Sequence, residues 1–230
     1  METSNRVLDA LLEELSLPHV EERVPRDAFY QLGLKFPQQY AIAARDVASC
    51  VRRAEAVGAG PFLHATIRTP NWVERGKLIK DCKIELALGY AGDRQIEILG
   101  PGRGTEHYSR ALRDTDIVFH HVGVYQNGME QIAPRLEEAG YPEVVRGGVK
   151  IGHALSFDFR YFDARHEYGL YLEIQDFRYF DRELSIAPFL HLYSKLKGRS
   201  LGRKRWRGLR GLTSRKKEHH EGARAVCADD

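Results

Sequence analysis

Two stretches of the sequence each place a side chain that can ligate a metal ahead of a short β-like segment and a helix. Gln39 opens Gln-Tyr-Ala-Ile-Ala-Ala-Arg-Asp, and His121 opens His-Val-Gly-Val-Tyr-Gln-Asn-Gly. Glu97 follows Gln39 by 58 residues and Glu173 follows His121 by 52, and each glutamate stands within a short apolar strand. The near-equal spacing predicts a βαβββ unit used twice. Such a repeat brings the four side chains into one metal site with oxygen and nitrogen ligands.

Alternation along the predicted strands indicates which side chains face this site. By that period of two, the four candidate ligands share their strand faces with Gln95, Gly123, Tyr125, Tyr171 and Gln175. His120 should point the other way, which makes it the weaker candidate. A carboxylate with apolar neighbours on a central strand is costly to bury unless something pairs with it, and a metal ion is an efficient partner.

Each candidate ligand also has a structural interpretation. A glutamate in a strand often faces solvent, a single histidine is often hydrogen-bonded in a core, and an amide such as Gln39 is a poor ligand without partners. The matched positions in the repeat favour the metal site for Glu97, His121 and Glu173. The other polar candidates are expected to stay outside it: solvated His107, His153 and His166, and a turn-forming Asp163.

The elements that must position these side chains can be predicted from periodicity and from helix-capping residues. The predicted helices cover residues 5–16, 46–56 with Asp46 as N-cap, 106–112, 130–139 and 184–196. The predicted strands cover residues 38–44, 62–68, 83–90, 94–99, 117–125, 154–163 and 170–175. These elements predict an α+β fold, in which two tandem βαβββ units form a curved mixed sheet around a central metal-binding cavity. The predicted boundaries are 1–35 for an N-terminal helix and loop, 36–104 and 105–176 for the two units, and 177–230 for a C-terminal extension.

Composition is typical of a soluble globular protein. Of the 230 residues, 43% are hydrophobic and 29% are charged, and no apolar run is long enough to span a bilayer. The N-terminus shows no secretory signal. The three cysteines form no CxxC pair, which argues against a disulfide framework or a thiolate zinc site. We therefore expect a cytoplasmic protein.

The net charge of +3 conceals a basic C-terminus, because residues 195–217 contain 11 Lys or Arg and no acidic residue. We expect a flexible, solvated tail that has no specific nucleic-acid target. Contact of this tail with an anionic surface is the alternative.

The motifs, taken in order, resemble the vicinal oxygen chelate superfamily, the βαβββ metal enzymes that include glyoxalase I and methylmalonyl-CoA epimerase. The resemblance covers roughly residues 36–176, and the order of the motifs is more specific than any one of them. The matching motifs are the Asp46-initiated helix, Gly58-Ala-Gly-Pro-Phe62, Gln95-Ile-Glu-Ile-Leu99, His120-His121-Val-Gly, Glu137-Glu-Ala-Gly-Tyr141, and Tyr161-Phe-Asp163 before Tyr171-Leu-Glu173.

The resemblance implies Gln39, Glu97, His121 and Glu173 as ligands of one divalent ion. In the branch that this chain most resembles, the first ligand is usually His, although some glyoxalase I enzymes use Gln there. Three oxygens and one nitrogen suit zinc, nickel, cobalt, manganese or magnesium. The implied reaction is proton transfer next to a carbonyl group, in an isomerase, epimerase or lyase, with Glu173 as the first candidate base and Glu97 as the second.

Aromatic residues on the cavity side predict a bulky hydrophobic or aromatic small molecule as substrate. These candidate substrate-binding residues are Tyr125, Phe157, Phe159, Tyr161 and Tyr171. The same residues fit a non-catalytic binding protein of this fold, which is the alternative function. An extradiol dioxygenase is disfavoured because Gln39 stands where that chemistry needs a second His, and no glutathione-binding motif supports glyoxalase I. Pairing of the two units within one chain or across a homodimer is left open.

Overall fold

The computed structural model describes residues 5–19, 23–151, 153, 155–179 and 182–183. The predicted helix at 184–196 and the basic tail lie outside these residues. None of the described helices is long and apolar enough to span a membrane.

The helices and strands follow the predicted order closely. The helices are α1 (Arg6–Glu14), α2 (Arg26–Gln31), α3 (Val47–Ala56), α4 (His107–Ala111), α5 (Met129–Glu138) and α6 (Arg165–Tyr168). The strands are β1 (Gln39–Ala44), β2 (Leu63–Thr69), β3 (Trp72–Glu74), β4 (Lys77–Ile79), β5 (Cys82–Ala91), β6 (Arg94–Leu99), β7 (Ile117–Tyr125), β8 (Glu143–Ile151), β9 (Leu155–Asp163), β10 (Tyr171–Tyr179) and β11 (Arg182–Glu183). The sequence did not predict α2, α6, β3, β4, β8 or β11 as individual elements.

One curved mixed sheet contains all the described strands, in the order β2-β5-β6-β1-β7-β10-β9-β8-β3-β4, with β11 on β10. Within the first unit β1 runs parallel to β6, and within the second β7 runs parallel to β10. Antiparallel pairing of β1 with β7 joins the two units inside one chain. The predicted α+β fold with two tandem βαβββ units is confirmed.

The convex face of the sheet forms the main hydrophobic core, beneath α1, α3 and α5. Alternate residues of the central strands point into it, as the period of two predicts. They include Tyr40, Ile42, Ile96, Ile98, Val122, Val124, Leu172 and Ile174. The Asp46 side chain caps α3 by accepting a hydrogen bond from the Ser49 amide at 2.8 Å, as predicted. The opposite parity therefore leaves the candidate ligands on the concave face.

A hairpin inserted between β2 and β5 closes part of the concave face. Its strands β3 and β4 turn through Arg75 and Gly76, which have φ values of 51° and 78°. Strand β3 pairs with β8 of the second unit, so the first unit reaches across the far end of the sheet. Trp72 is fully buried there, with ring centroids 5.6 Å from Phe159 and 6.2 Å from Tyr108 of α4.

This packing predicts that Trp72 anchors the hairpin. Replacing Trp72 with Ala leaves a cavity among aromatic rings and should lower the free energy of unfolding by about 3–5 kcal/mol. Leu78 lies on the same hairpin but is 52% exposed. Leu78→Ala should therefore change the free energy of unfolding by no more than about 0.5 kcal/mol. Urea denaturation of both variants checks this, and equal, small losses would contradict the anchoring role.

Candidate metal centre

The strand register places the two halves of the site in equivalent positions. Ala41 lies opposite Glu97 across the parallel pair β1–β6, and Gly123 lies opposite Glu173 across β7–β10. Both glutamates therefore face a small residue that stands two positions after a candidate ligand, Gln39 or His121. The internal repeat predicted from sequence spacing thus appears in the strand register, with a small residue opposite the glutamate in each half.

Three candidate ligands converge on one point of the concave face. The Nε2 atom of His121 lies 3.1 Å from a carboxylate oxygen of Glu173 and 3.4 Å from one of Glu97. The three donor atoms lie within 4.8 Å of one another. Glu173 is 3% exposed, Glu97 is 8% exposed and His121 is fully buried. The solvent-facing interpretation of the two glutamates is therefore wrong.

The spacing of these atoms fits a divalent cation. Ligand atoms at about 2.1 Å from one ion lie about 3.0 Å apart at octahedral angles and about 3.4 Å apart at tetrahedral angles. The two distances from His121 fall in this range. Moreover, the buried Nε2 atom of His121 has both carboxylates within reach. A buried nitrogen held between two carboxylates at these distances suits a ligand set.

The electrostatics of the site favour a positive charge at its centre. Burial alone would lower the pKa of His121, but Glu173 and Glu97 together raise it to about 9. Burial raises the pKa of Glu97, and the neighbouring charge of Glu173 raises it further, against a hydrogen bond from His121. The single positive charge of a protonated His121 can compensate only one of the two buried carboxylates. A divalent ion would compensate the negative charge of both.

Gln39 joins the site through a network of amides. Its Oε1 accepts a hydrogen bond from Gln175 Nε2 at 2.5 Å, and its Nε2 donates to Gln95 Oε1 at 2.9 Å. The same Gln175 amide donates to Glu173, and the Tyr125 hydroxyl donates to Gln95. Gln39 therefore lies one residue away from Glu173 along the network, and its role as a fourth ligand stays a prediction.

The amide network depends on the absence of a side chain at position 123. A Cβ atom there would lie 2.5 Å from Gln39 Oε1 and 3.0 Å from both Gln39 Cβ and Gln175 Nε2. The network was not predicted, although strand parity already put Gln95 and Gln175 on the face of the site. Strand parity does not predict which amide donates a hydrogen bond to which, because that depends on the side-chain rotamers.

The expectation that His120 points away from the site is wrong. The register between β1 and β7 shifts, so that Ala41 pairs with His121 while Ile42 pairs with Phe119. His120 is the extra residue of this β-bulge, which breaks the alternation. Its ring lies on the concave side, with centroids 4.9 Å from Tyr108 and 4.9 Å from Tyr171.

His107 also differs from expectation, because it is buried rather than solvated. Helix α4 inserts the ring under the hairpin, with centroids 4.8 Å from His120 and 4.7 Å from Tyr171. Burial lowers the pKa of His107 to about 3, helped by the charge of His121. The helix over 106–112 was predicted, but its inward packing was not. His153 and His166 are exposed as expected, and Asp163 accepts hydrogen bonds from Arg165 at the turn after β9.

The aromatic residues predicted to bind substrate lie at two depths on the concave side. Phe159, Tyr161 and Tyr171 are buried, and the Tyr161 ring lies 5.0 Å from that of His121. Tyr125 and Phe157 are half-buried, and both contact Phe177, at centroid distances of 5.7 and 4.4 Å. Phe177 was not predicted, although it continues the parity of Glu173 and Gln175 along β10.

Comparison with known proteins finds likeness in solved structures only. No family model and no curated protein matches the chain. A methylmalonyl-CoA epimerase variant from Streptomyces coelicolor in complex with 2-nitronate-propionyl-CoA is 15% identical, with a TM-score of 0.41, covering 62% of this chain and 96% of that one. Methylmalonyl-CoA epimerase from Mycobacterium tuberculosis is 14% identical, with a TM-score of 0.40, covering 60% and 85%.

A variant of 4-hydroxymandelate synthase from Streptomyces coelicolor is 9% identical, with a TM-score of 0.43, covering 71% of this chain and 53% of that one. These enzymes are members of the vicinal oxygen chelate superfamily, which the sequence resembles. At these identities and TM-scores the similarity gives no information about the function of this chain.

The close approach at Gly123 gives a prediction for the amide network. Gly123→Ala should push Gln39 and Gln175 apart, break their hydrogen bond and lower the free energy of unfolding by about 1–3 kcal/mol. Gly100→Ala is the matched control, because its Cβ would meet nothing closer than 3.4 Å, and a smaller change is expected there. Thermal and urea denaturation compare the two. Equal stability of the variants would show that the amides are free to rearrange.

Proposed function

We propose that this chain is a divalent-metal-dependent enzyme that transfers a proton next to a carbonyl group, as an isomerase, epimerase or lyase. The observation that carries the proposal is the buried cluster of Glu97, His121 and Glu173, whose donor atoms lie within 4.8 Å of one another. Such a cluster is costly to bury unless its charges are compensated. It therefore supports a functional rather than a structural role.

The donor set limits the choice of ion. Two carboxylates and one imidazole, with the Gln39 amide oxygen as the proposed fourth donor, suit zinc, nickel, cobalt, manganese or magnesium. All four donors lie on the two neighbouring strand pairs at the centre of the sheet. Their positions are therefore fixed by backbone hydrogen bonds rather than by loops, which favours a preorganised site.

A divalent ion in this site would supply Lewis acidity toward the oxygen atoms of a substrate carbonyl group. The chain's own contribution is a base. Glu173 is proposed to take the proton from the carbon next to the carbonyl, and Gln175 orients its carboxylate by donating a hydrogen bond. Glu97 is the second candidate, because burial makes it more basic. An epimerase or isomerase returns the proton, whereas a lyase expels a leaving group.

The concave side favours a hydrophobic or aromatic small molecule as substrate. The hairpin and α4 fill the end of the concave face around Trp72 and Tyr108. Half-buried apolar groups remain beside the metal cluster, at Leu88, Tyr125 and Phe157. We propose that substrate approaches over these residues, where aromatic rings can stack on it and the phenol of Tyr125 offers a polar contact.

Metal uptake tests the ligand set. After chelation and dialysis against zinc, nickel, cobalt, manganese or magnesium, the protein should hold about one ion per chain by elemental analysis, and His121→Ala should lose it. His64 is exposed on β2, so His64→Ala should retain it. Failure of the wild type to bind any of these ions, or equal binding by the two variants, would contradict the proposed site.

Proton transfer itself is tested by solvent exchange. The metal-loaded protein is incubated in deuterated water with a panel of aryl ketones and aryl-substituted acyl thioesters, and loss of the proton signal next to the carbonyl is followed by NMR. Glu173→Gln keeps an oxygen donor but removes a base, so exchange should slow by about 100-fold or more. Glu97→Gln should give a similar or smaller loss.

Glu85 is exposed on β5, and Glu85→Gln serves as the control with an unchanged rate. If both Glu173→Gln and Glu97→Gln retain metal and full exchange activity, carboxylate-base catalysis is ruled out. A metal-loaded protein that binds members of the panel without any exchange would instead support the non-catalytic binding function.

A further inference from the structure

The β-bulge in β7 brings two adjacent histidines onto the same side of the sheet. The Nδ1 atoms of His120 and His121 lie 3.0 Å apart, within hydrogen-bond distance. Both rings are buried. Consecutive residues of a regular strand point to opposite faces, so this contact exists only because the register shifts between Ala41 and Ile42.

Only one of the two Nδ1 atoms can be the donor, and the metal cluster decides which one. His121 presents Nε2 to Glu97 and Glu173. A neutral imidazole that offers a lone pair at Nε2 must have its proton at Nδ1. That N–H group then points to His120, whose Nδ1 has to accept. The reverse arrangement would put the proton of a neutral His121 on Nε2 and remove it as a ligand.

The surroundings of His120 are suited to an acceptor. Its ring is enclosed by the rings of His107, Tyr108, Tyr161 and Tyr171. No carboxylate contacts it among the described residues, so a protonated His120 would be a buried cation without a counter-ion. The neutral ring keeps its proton on Nε2, which makes no hydrogen bond of acceptable geometry with any described residue.

We infer that His120 is a positioning residue, whose Nδ1 lone pair accepts the Nδ1 proton of His121 and holds His121 in the tautomer that offers Nε2 to a metal. This inference rests on the proposed function and adds to it. Histidine ligands commonly donate their other ring N–H to a carboxylate, a backbone carbonyl or water. Here a second imidazole serves that purpose, and the bulge supplies it.

Nitrogen-15 NMR of protein labelled at histidine tests the hydrogen bond directly. In zinc-loaded protein, the Nδ1 of His121 should carry a proton and show a scalar coupling across the hydrogen bond to an unprotonated Nδ1 of His120. The same coupling is expected in metal-free protein, since Nδ1 of His121 is a donor there too. A proton on Nδ1 of His120, or no coupling in either form, would overturn the inference.

Two variants separate the acceptor from the packing of the ring. His120→Asn can place an amide oxygen near the position of Nδ1, whereas His120→Phe keeps a planar ring without an acceptor. Zinc affinity, measured by competition with a chelating dye, should fall about 10- to 100-fold in His120→Phe and much less in His120→Asn. Equal affinities in the two variants would contradict the positioning role.

Metal-free thermal stability is the second readout. If His120 only packs, His120→Asn should lose more thermal stability and more zinc affinity than His120→Phe. The positioning role predicts the opposite order for zinc affinity, with the larger loss in His120→Phe. If wild-type protein takes up no divalent ion at all, the proposed function is lost. The nitrogen coupling in metal-free protein still decides the tautomer in that case.

Discussion

The structure depends on one electrostatic constraint, the burial of Glu97 and Glu173 beside His121. Two carboxylates removed from water lose their hydration and repel each other, and a single imidazole compensates only one of them. Each uncompensated buried ion costs several kcal/mol. A protein that places such a cluster on its central strands gives up stability at that point, and a bound cation would recover it.

The remainder of the fold serves to hold this cluster rigid. The cluster lies on β6, β7 and β10, and β1, which pairs with β6 and β7, carries Gln39. Small residues, Ala41 and Gly123, lie opposite the two glutamates, and the missing side chain at Gly123 leaves space for the amides of Gln39 and Gln175. On the convex face the helices cover the apolar side of the same strands, so that the strand backbones that carry the donors cannot move without disturbing the main core. Preorganisation of the site is thus a property of the sheet itself.

Much of this arrangement could be predicted from the sequence, because it follows from a period of two and from an internal repeat. Strand parity put Glu97, His121 and Glu173 on one face, and the repeat predicted that the two faces meet. The same rule failed at His120, since a β-bulge inserts one residue without a sequence signature. The β3–β4 hairpin was missed because each strand has only three residues, too few to show alternation.

Side-chain direction was the other limit. Gln39, Gln95 and Gln175 were all on the correct face, but which amide donates to which depends on rotamers chosen by packing around Gly123. His107 was expected to be solvated although the helix at 106–112 was predicted, because the sequence does not show that helix α4 packs inward and carries the ring beneath the hairpin. In both cases the deciding contacts join residues far apart in sequence, which local patterns cannot show.

The proposed function depends on the binding of one divalent cation by Glu97, His121 and Glu173. Anomalous diffraction from crystals grown with zinc, recorded on both sides of the zinc absorption edge, tests it most directly. We expect a single strong anomalous peak within bonding distance of His121 Nε2 and of one oxygen from each glutamate. Crystals that show zinc elsewhere, with these three side chains still in contact and no peak between them, would contradict it.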